Sequence, residues 1–226
     1  VTRRAATGVA GTVAATVLAV AALAWSTQGF RVLTLDGARA AAVANRPRPV
    51  PSAHVQDADG AAIPIAVPGM VTVVDFVSTA CLSVCLAQGS EFALLQDSLG
   101  GGATSADRRI RLVTVSFDPD DDASRLRGWA EAQGATAPSW RVGRVAADDR
   151  RRLLETFGIV LVRDPVAGWR HNAAFHLVDG GGAVRRIIAA NDPVGALRAA
   201  RLLVDVAPDA GPTERSGRLA PDRAAR

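Results

Sequence analysis

The chain holds two cysteines in 226 residues, Cys81 and Cys85, four positions apart. They close the segment VTVVDFVSTACLSVC, whose run of Val71, Val73, Val74, Phe76 and Val77 reads as a short strand covered on both faces. A Cys-x3-Cys pair that ends a strand and opens a helix places its thiols where backbone N–H groups and the helix dipole favour thiolate over thiol. Thiolate is both the nucleophile of disulfide exchange and a ligand for soft metals. The bland alternative is a structural disulfide or two small buried hydrophobes. The preceding strand shifts the balance toward chemistry.

Three histidines could complete a site: His54, His171 and His176. Two thiolates and one imidazole make a soft three-ligand set that suits Cu(I) and falls one short of a structural zinc tetrahedron. His54 lies in the entry segment and is a reserve ligand; His176 alternates with Phe175 and reads as a surface or half-buried strand residue. Asp75 sits inside the apolar strand. A carboxylate there costs several kcal/mol if unpaired, so it is protonated, hydrogen-bonded or at work, unless it points to a solvated strand end. The run Asp118-Pro-Asp-Asp-Asp122 superficially suggests a metal-dependent phosphatase, but helix capping accounts for it more simply.

Every basic residue is Arg, and net charge is only +4. The absence of Lys excludes a P-loop lysine, a Schiff base and a lysine-assisted phosphotransferase. Nothing resembles a stacking groove of aromatics interleaved with basic residues, so nucleic acid is not an expected partner. Residues 5–30 carry no charge, follow Arg3 and Arg4, and read as an N-terminal membrane anchor or signal segment over 1–30, with Ala22-Leu23-Ala24 as a small-x-small cleavage candidate. Residues 31–51 read as a Pro/Ala/Arg-rich tether, 52–207 as one domain and 208–226 as a disordered tail.

Within the domain the pattern predicts a small hairpin over 54–65, strands at 71–77 and 110–117, and helices at about 82–99, 122–133 and 147–157. It adds short strands near 140–145 and 159–162, a hairpin of 173–178 with 184–188, and a closing helix at 192–205. Parallel strands joined by right-handed crossovers put the cysteine loop at a carboxyl edge of the sheet, where sites belong.

This order resembles the thioredoxin arrangement with an insertion, and VDFVSTAC resembles the thioredoxin pattern in which an aspartate six residues before a cysteine assists proton transfer. TACLSVC, VTVSFDPDDDASRLRGWAEAQGA and HNAAFHLVDGGGAV together resemble the Sco/SenC family over 55–205. The resemblance implies an α/β thioredoxin-like fold with a mixed sheet flanked by helices, preceded by one N-terminal transmembrane helix. It further implies copper, as Cu(I) and in some states Cu(II), held by Cys81, Cys85 and His171. The implied role is assembly of the dinuclear copper site of cytochrome c oxidase, with that oxidase's copper-site subunit or another copper chaperone as partner. The implied location is the bacterial inner membrane, with the domain in the periplasm or another extracytoplasmic space. Leu82 and Leu86 stand where the family usually has Pro, Ser83 where it has Asp, and Arg170 where it has Asp before the histidine. The alternative to this favoured copper-carrying role is a thiol-disulfide oxidoreductase or thiol peroxidase in which Cys81 attacks, Cys85 resolves and Asp75 moves the proton.

Overall fold

The computed structural model describes residues 2–26, 34–81, 84–101, 104–164 and 168–206. Its centre is β3 (Val71–Val77), buried at every position, as a β-branched run needs when both faces are covered. It pairs in parallel with β4 (Ile110–Ser116), and β4 pairs in parallel with β5 (Trp140–Val145). On its other side β3 runs antiparallel to β8 (Ala174–Val178), which pairs with β9 (Ala183–Ala189). The sheet is edged by β1 (Arg48–Pro49) and β2 (Val55–Asp57), giving the order β1-β9-β8-β3-β4-β5-β2.

Period-2 alternation splits the core into two layers. Val73, Val77, Leu112, Trp140, Phe175 and Leu177 face α3 (Val84–Gly100), α4 (Ala123–Gln133) and α6 (Pro193–Val206). Val74, Phe76, Val113 and Val115 face α2 (Leu35–Asn45) and α5 (Ala147–Phe157). The result is the expected α/β thioredoxin-like arrangement, a mixed sheet between two helical layers. Asp122 caps α4 by accepting the Arg125 N–H, as the acidic run led us to expect. Gly134 ends that helix at φ 71°, a conformation cheap only for glycine. Gly89, a cost inside α3 on propensity alone, sits where a Cβ would meet the end of the Gln133 side chain of α4, so a larger residue there would have to displace it.

Three expectations change. Residues 35–49 of the presumed tether pack on the domain, because the Ala-rich run forms α2 with Val43 buried and β1 joins the sheet through β9. The strand expected near 159–162 is β6 (Leu161–Asp164); it pairs with β7 (Gly168–His171) in a separate hairpin that sequence periodicity did not separate from the main sheet. The N-terminal segment forms the 25-residue helix α1 (Thr2–Ser26), but no helix among the described residues is long and apolar enough to cross a membrane. The expected tail, 208–226, lies outside the described residues.

Candidate functional site

Strand β3 delivers the chain to the carboxyl edge of the sheet. There Phe117 N–H bonds the Val77 carbonyl at 3.1 Å, and Cys81 N–H turns back to the Ser78 carbonyl at 3.1 Å. Cys81 lies in this loop and Cys85 in the first turn of α3; both are buried, at 7% and 0% exposure, and neither is in a disulfide. The hairpin β6–β7 folds over the same edge and brings His171 in, half-buried. Its Nε2 lies 3.5 Å from Cys85 Sγ, a contact between residues 86 apart in sequence. The Phe117 ring supports this imidazole edge-on, with centroids 5.2 Å apart, and also meets Trp169 at 6.4 Å.

Burial governs the electrostatics. It pushes the Cys85 thiol well above its ordinary range, and a hydrogen bond with Cys81 and the nearby Asp75 charge add to the effect. The expected thiolate-favouring helix start is therefore overridden at Cys85, because desolvation outweighs the dipole. Burial also lowers the pKa of His171, with the Asn172 backbone pulling weakly the other way. A protonated thiol thus faces a neutral imidazole, and the imidazole tautomer sets which of the two donates. Asp75 is fully buried on the same face of β3, and burial pushes its pKa up to about 7. Thr114, its partner across the β3–β4 register, pulls it back only in part, while the Thr114 oxygen accepts the Trp140 indole N–H at 2.9 Å.

The other two histidines stand apart. His54 is exposed and bonds Asp149 through both its backbone N–H and Nδ1, each at 2.8 Å. His176 is fully buried, not half-exposed: β8 is covered on both faces, and its imidazole sits edge-on between Phe76 and Phe157 at 5.8 and 5.3 Å.

Sequence reasoning missed the residues that hold the site together. Asp118 and Asp121 are buried; Asp118 accepts the Ser78 hydroxyl at 2.7 Å, and Asp121 accepts the Thr79 N–H at 2.9 Å and the hydroxyls of Thr79 and Ser116. Gln88, one turn beyond Cys85, donates to the Ala174 carbonyl at 3.4 Å. Asn172 bridges the end of α5 to the hairpin, donating to the Gly158 carbonyl at 3.0 Å and accepting from Val160 N–H at 2.7 Å. The one signal for the acids was their number, since a helix start needs a single cap and the run supplies four Asp.

The span from β2 to α6, 55–202, which contains Asp75, Cys81, Cys85, Asp121 and His171, matches the SCO1/SenC family model. The chain belongs to the SCO1/SenC family. No curated protein matches it. Among solved structures, this SCO1/SenC chain is similar to a SCO1/SenC family lipoprotein from Bacillus anthracis str. Ames, at 20% identity over 70% of this chain and 97% of that one, TM-score 0.60. It is similar to Arabidopsis thaliana ScoI with copper bound, at 12% identity over 69% and 98% of the two chains, TM-score 0.57. It is also similar to BsSco, a member of the Sco family of cytochrome c oxidase assembly proteins with a disulfide switch, at 21% identity over 70% and 96%, TM-score 0.57. At these identities the likeness is one of fold. In the SCO1/SenC domain described here, no group of three or more His, Cys, Asp or Glu among the described residues is already gathered as a metal cage. The contact that does exist is the sulfur–imidazole pair.

Proposed function

We propose that this chain is a copper-binding, thioredoxin-like assembly factor that carries Cu(I) on Cys81, Cys85 and His171 and hands it to the dinuclear copper site of cytochrome c oxidase. The single observation that carries the reading is the Cys85–His171 contact of 3.5 Å. Bonds of about 2.3 Å to sulfur and about 2.0 Å to nitrogen, the lengths typical of zinc, span about 3.5 Å at a tetrahedral angle, so a metal of similar size fits between these two atoms. The donor set of thiols and imidazole is soft and matches Cu(I). Copper is cargo here. Its uptake displaces the Cys85 thiol proton, and its release to a partner proceeds by exchange of one ligand at a time.

The partner is the copper-site subunit of the oxidase or a second copper chaperone. Helix α1, with Val13, Val17, Leu18, Val20 and Leu23 exposed, anchors the chain at the bacterial inner membrane and leaves the domain extracytoplasmic. Anaerobic titration of the reduced full chain with Cu(I) tests the reading: one tightly held copper per chain is expected. Binding no tighter than that of the Cys81→Ser/Cys85→Ser double variant would overturn it.

A second role is favoured by one observation, the buried Asp75 with its pKa near 7 behind Cys85. The dithiol would reduce a disulfide in the partner. Cys81 thiolate attacks one partner sulfur and expels the other as thiolate; Cys85, giving its proton to His171 or Asp75, then attacks Cys81 and releases the first sulfur. Two electrons pass to the partner, and Cys81–Cys85 becomes the disulfide. The two roles are compatible, since a dithiol must be reduced before it holds copper.

A further inference from the structure

Helix α4 needs one N-terminal acid, and Asp122 supplies it. Asp121, next to it, is turned inward to 0% exposure. Burying a carboxylate costs several kcal/mol unless strong hydrogen bonds offset it, and such bonds to a charged acceptor are about twice as strong as neutral ones. The donors that Asp121 collects are Thr79 N–H, Thr79 hydroxyl and Ser116 hydroxyl. Thr79 is two residues before Cys81. The grip therefore falls on the loop that carries this thiol, which precedes the first turn of α3 and is not placed by that helix. The same short segment presents Phe117 to the His171 ring, and Asp118 holds Ser78. One short stretch, residues 116–121, thus touches both the Cys81 arm and the His171 arm of the site.

We propose that Asp121 is a positioning residue that sets where Cys81 stands relative to the Cys85–His171 pair, and so tunes both Cu(I) affinity and the potential of the Cys81–Cys85 couple. The copper half of this inference rests on the function proposed above; the thiol half does not. The thiol half takes the clamp to hold Cys81 in the position it has as a free thiol, so that its loss favours the disulfide and lowers the potential.

The test compares the reduced full-length chain with Asp121→Asn, Thr79→Val, Thr79→Ser, the Asp121→Asn/Thr79→Val double variant and Asp122→Ala. Cu(I) affinity is read by competition with a chromophoric chelator, and the thiol potential by equilibration with glutathione buffers. Asp121→Asn and Thr79→Val are each expected to weaken Cu(I) about tenfold, as losing an outer partner of a ligand does. They are also expected to shift the dithiol equilibrium about tenfold toward disulfide, ~30 mV for two electrons. The double variant should lose less than the sum of the two singles, because both substitutions disturb the same Thr79 hydroxyl–Asp121 bond. Thr79→Ser should restore wild-type values, while Asp122→Ala lowers the unfolding midpoint and moves neither affinity nor potential. Folded Asp121→Asn and Thr79→Val proteins with wild-type affinity and potential would overturn the proposal, as would Asp122→Ala moving both as far as Asp121→Asn does. If the wild-type chain holds no Cu(I), the functional reading falls, and the positioning role is decided by the potential alone.

Discussion

The two faces of the central sheet each bury a titratable side chain, and they use it in opposite ways. On the face toward α3, Asp75 is held near Cys85 with its pKa raised to about 7. On the face toward α5, His176 is held between Phe76 and Phe157 with its pKa lowered to about 3, by burial first and by the nearby Arg39 charge second. The two strands are antiparallel neighbours, with Val74 opposite His176, so one residue of register separates a group at the site from a group locked in aromatic packing. Burial alone therefore does not distinguish the two residues. Their surroundings do: Asp75 lies near the Cys85 thiol, whereas the His176 ring packs between Phe76 and Phe157.

The comparison breaks most visibly at the sulfur. Cys85→Ser should cost Cu(I) affinity by more than the roughly 10–100-fold that follows loss of an outer partner, because it removes a ligand and the soft donor itself. A chelator-competition assay showing less than a tenfold loss would mean that Cys85 is packing only. Next, His171→Ala should weaken Cu(I) by at least about tenfold, though less than Cys85→Ser because the thiolates are the softer donors, while His176→Leu should leave it within about twofold. The second substitution removes two buried nitrogens that make no hydrogen bond and should raise stability by about 1 kcal/mol in denaturant unfolding. Equal copper losses in the two variants would erase the distinction between the faces.

Asp75→Asn is the subtler test. It should slow disulfide exchange with a small disulfide several-fold while leaving the copper ligands in place. It should also change the pH profile in a defined direction. The folded state holds the Asp75 proton more tightly than the unfolded chain, so this residue makes stability fall as pH rises from about 4 to about 7. His176 acts oppositely: it stays neutral in the folded state, and its contribution is lost as pH falls from 6.5 toward 3. Asp75→Asn should therefore be more stable than wild type at and above pH 7, by a few kcal/mol at ~1.4 kcal/mol per pKa unit, and nearly equal to it at pH 4. An unchanged exchange rate together with lower stability would make Asp75 a structural hydrogen-bonding residue.

Much of the cysteine-bearing edge was legible in the chain because its signals are local. A β-branched strand ending in Cys81 and Cys85, a capped helix after Asp122, and a carboxylate inside an apolar strand all depend on spacing within a few residues. His171 was legible only through the family resemblance, since nothing in its neighbourhood points toward a sulfur 86 residues earlier. The inward turn of Asp118 and Asp121 was not legible, because it depends on where the β4 end meets the β3 end in space. His176 was misjudged because alternation tells which residues share a face but not whether both faces are covered. The helix within 35–45 was hidden by the Arg and Pro residues that follow it, although its Ala-rich run carries good helix propensity.

X-ray absorption at the copper edge of the Cu(I)-loaded, full-length chain tests the central claim most directly. The account predicts two sulfur neighbours and one nitrogen neighbour per copper, with the nitrogen lost in His171→Ala and retained in His176→Leu. A copper bound by sulfur alone in the wild-type chain, or a nitrogen that survives His171→Ala, would contradict it.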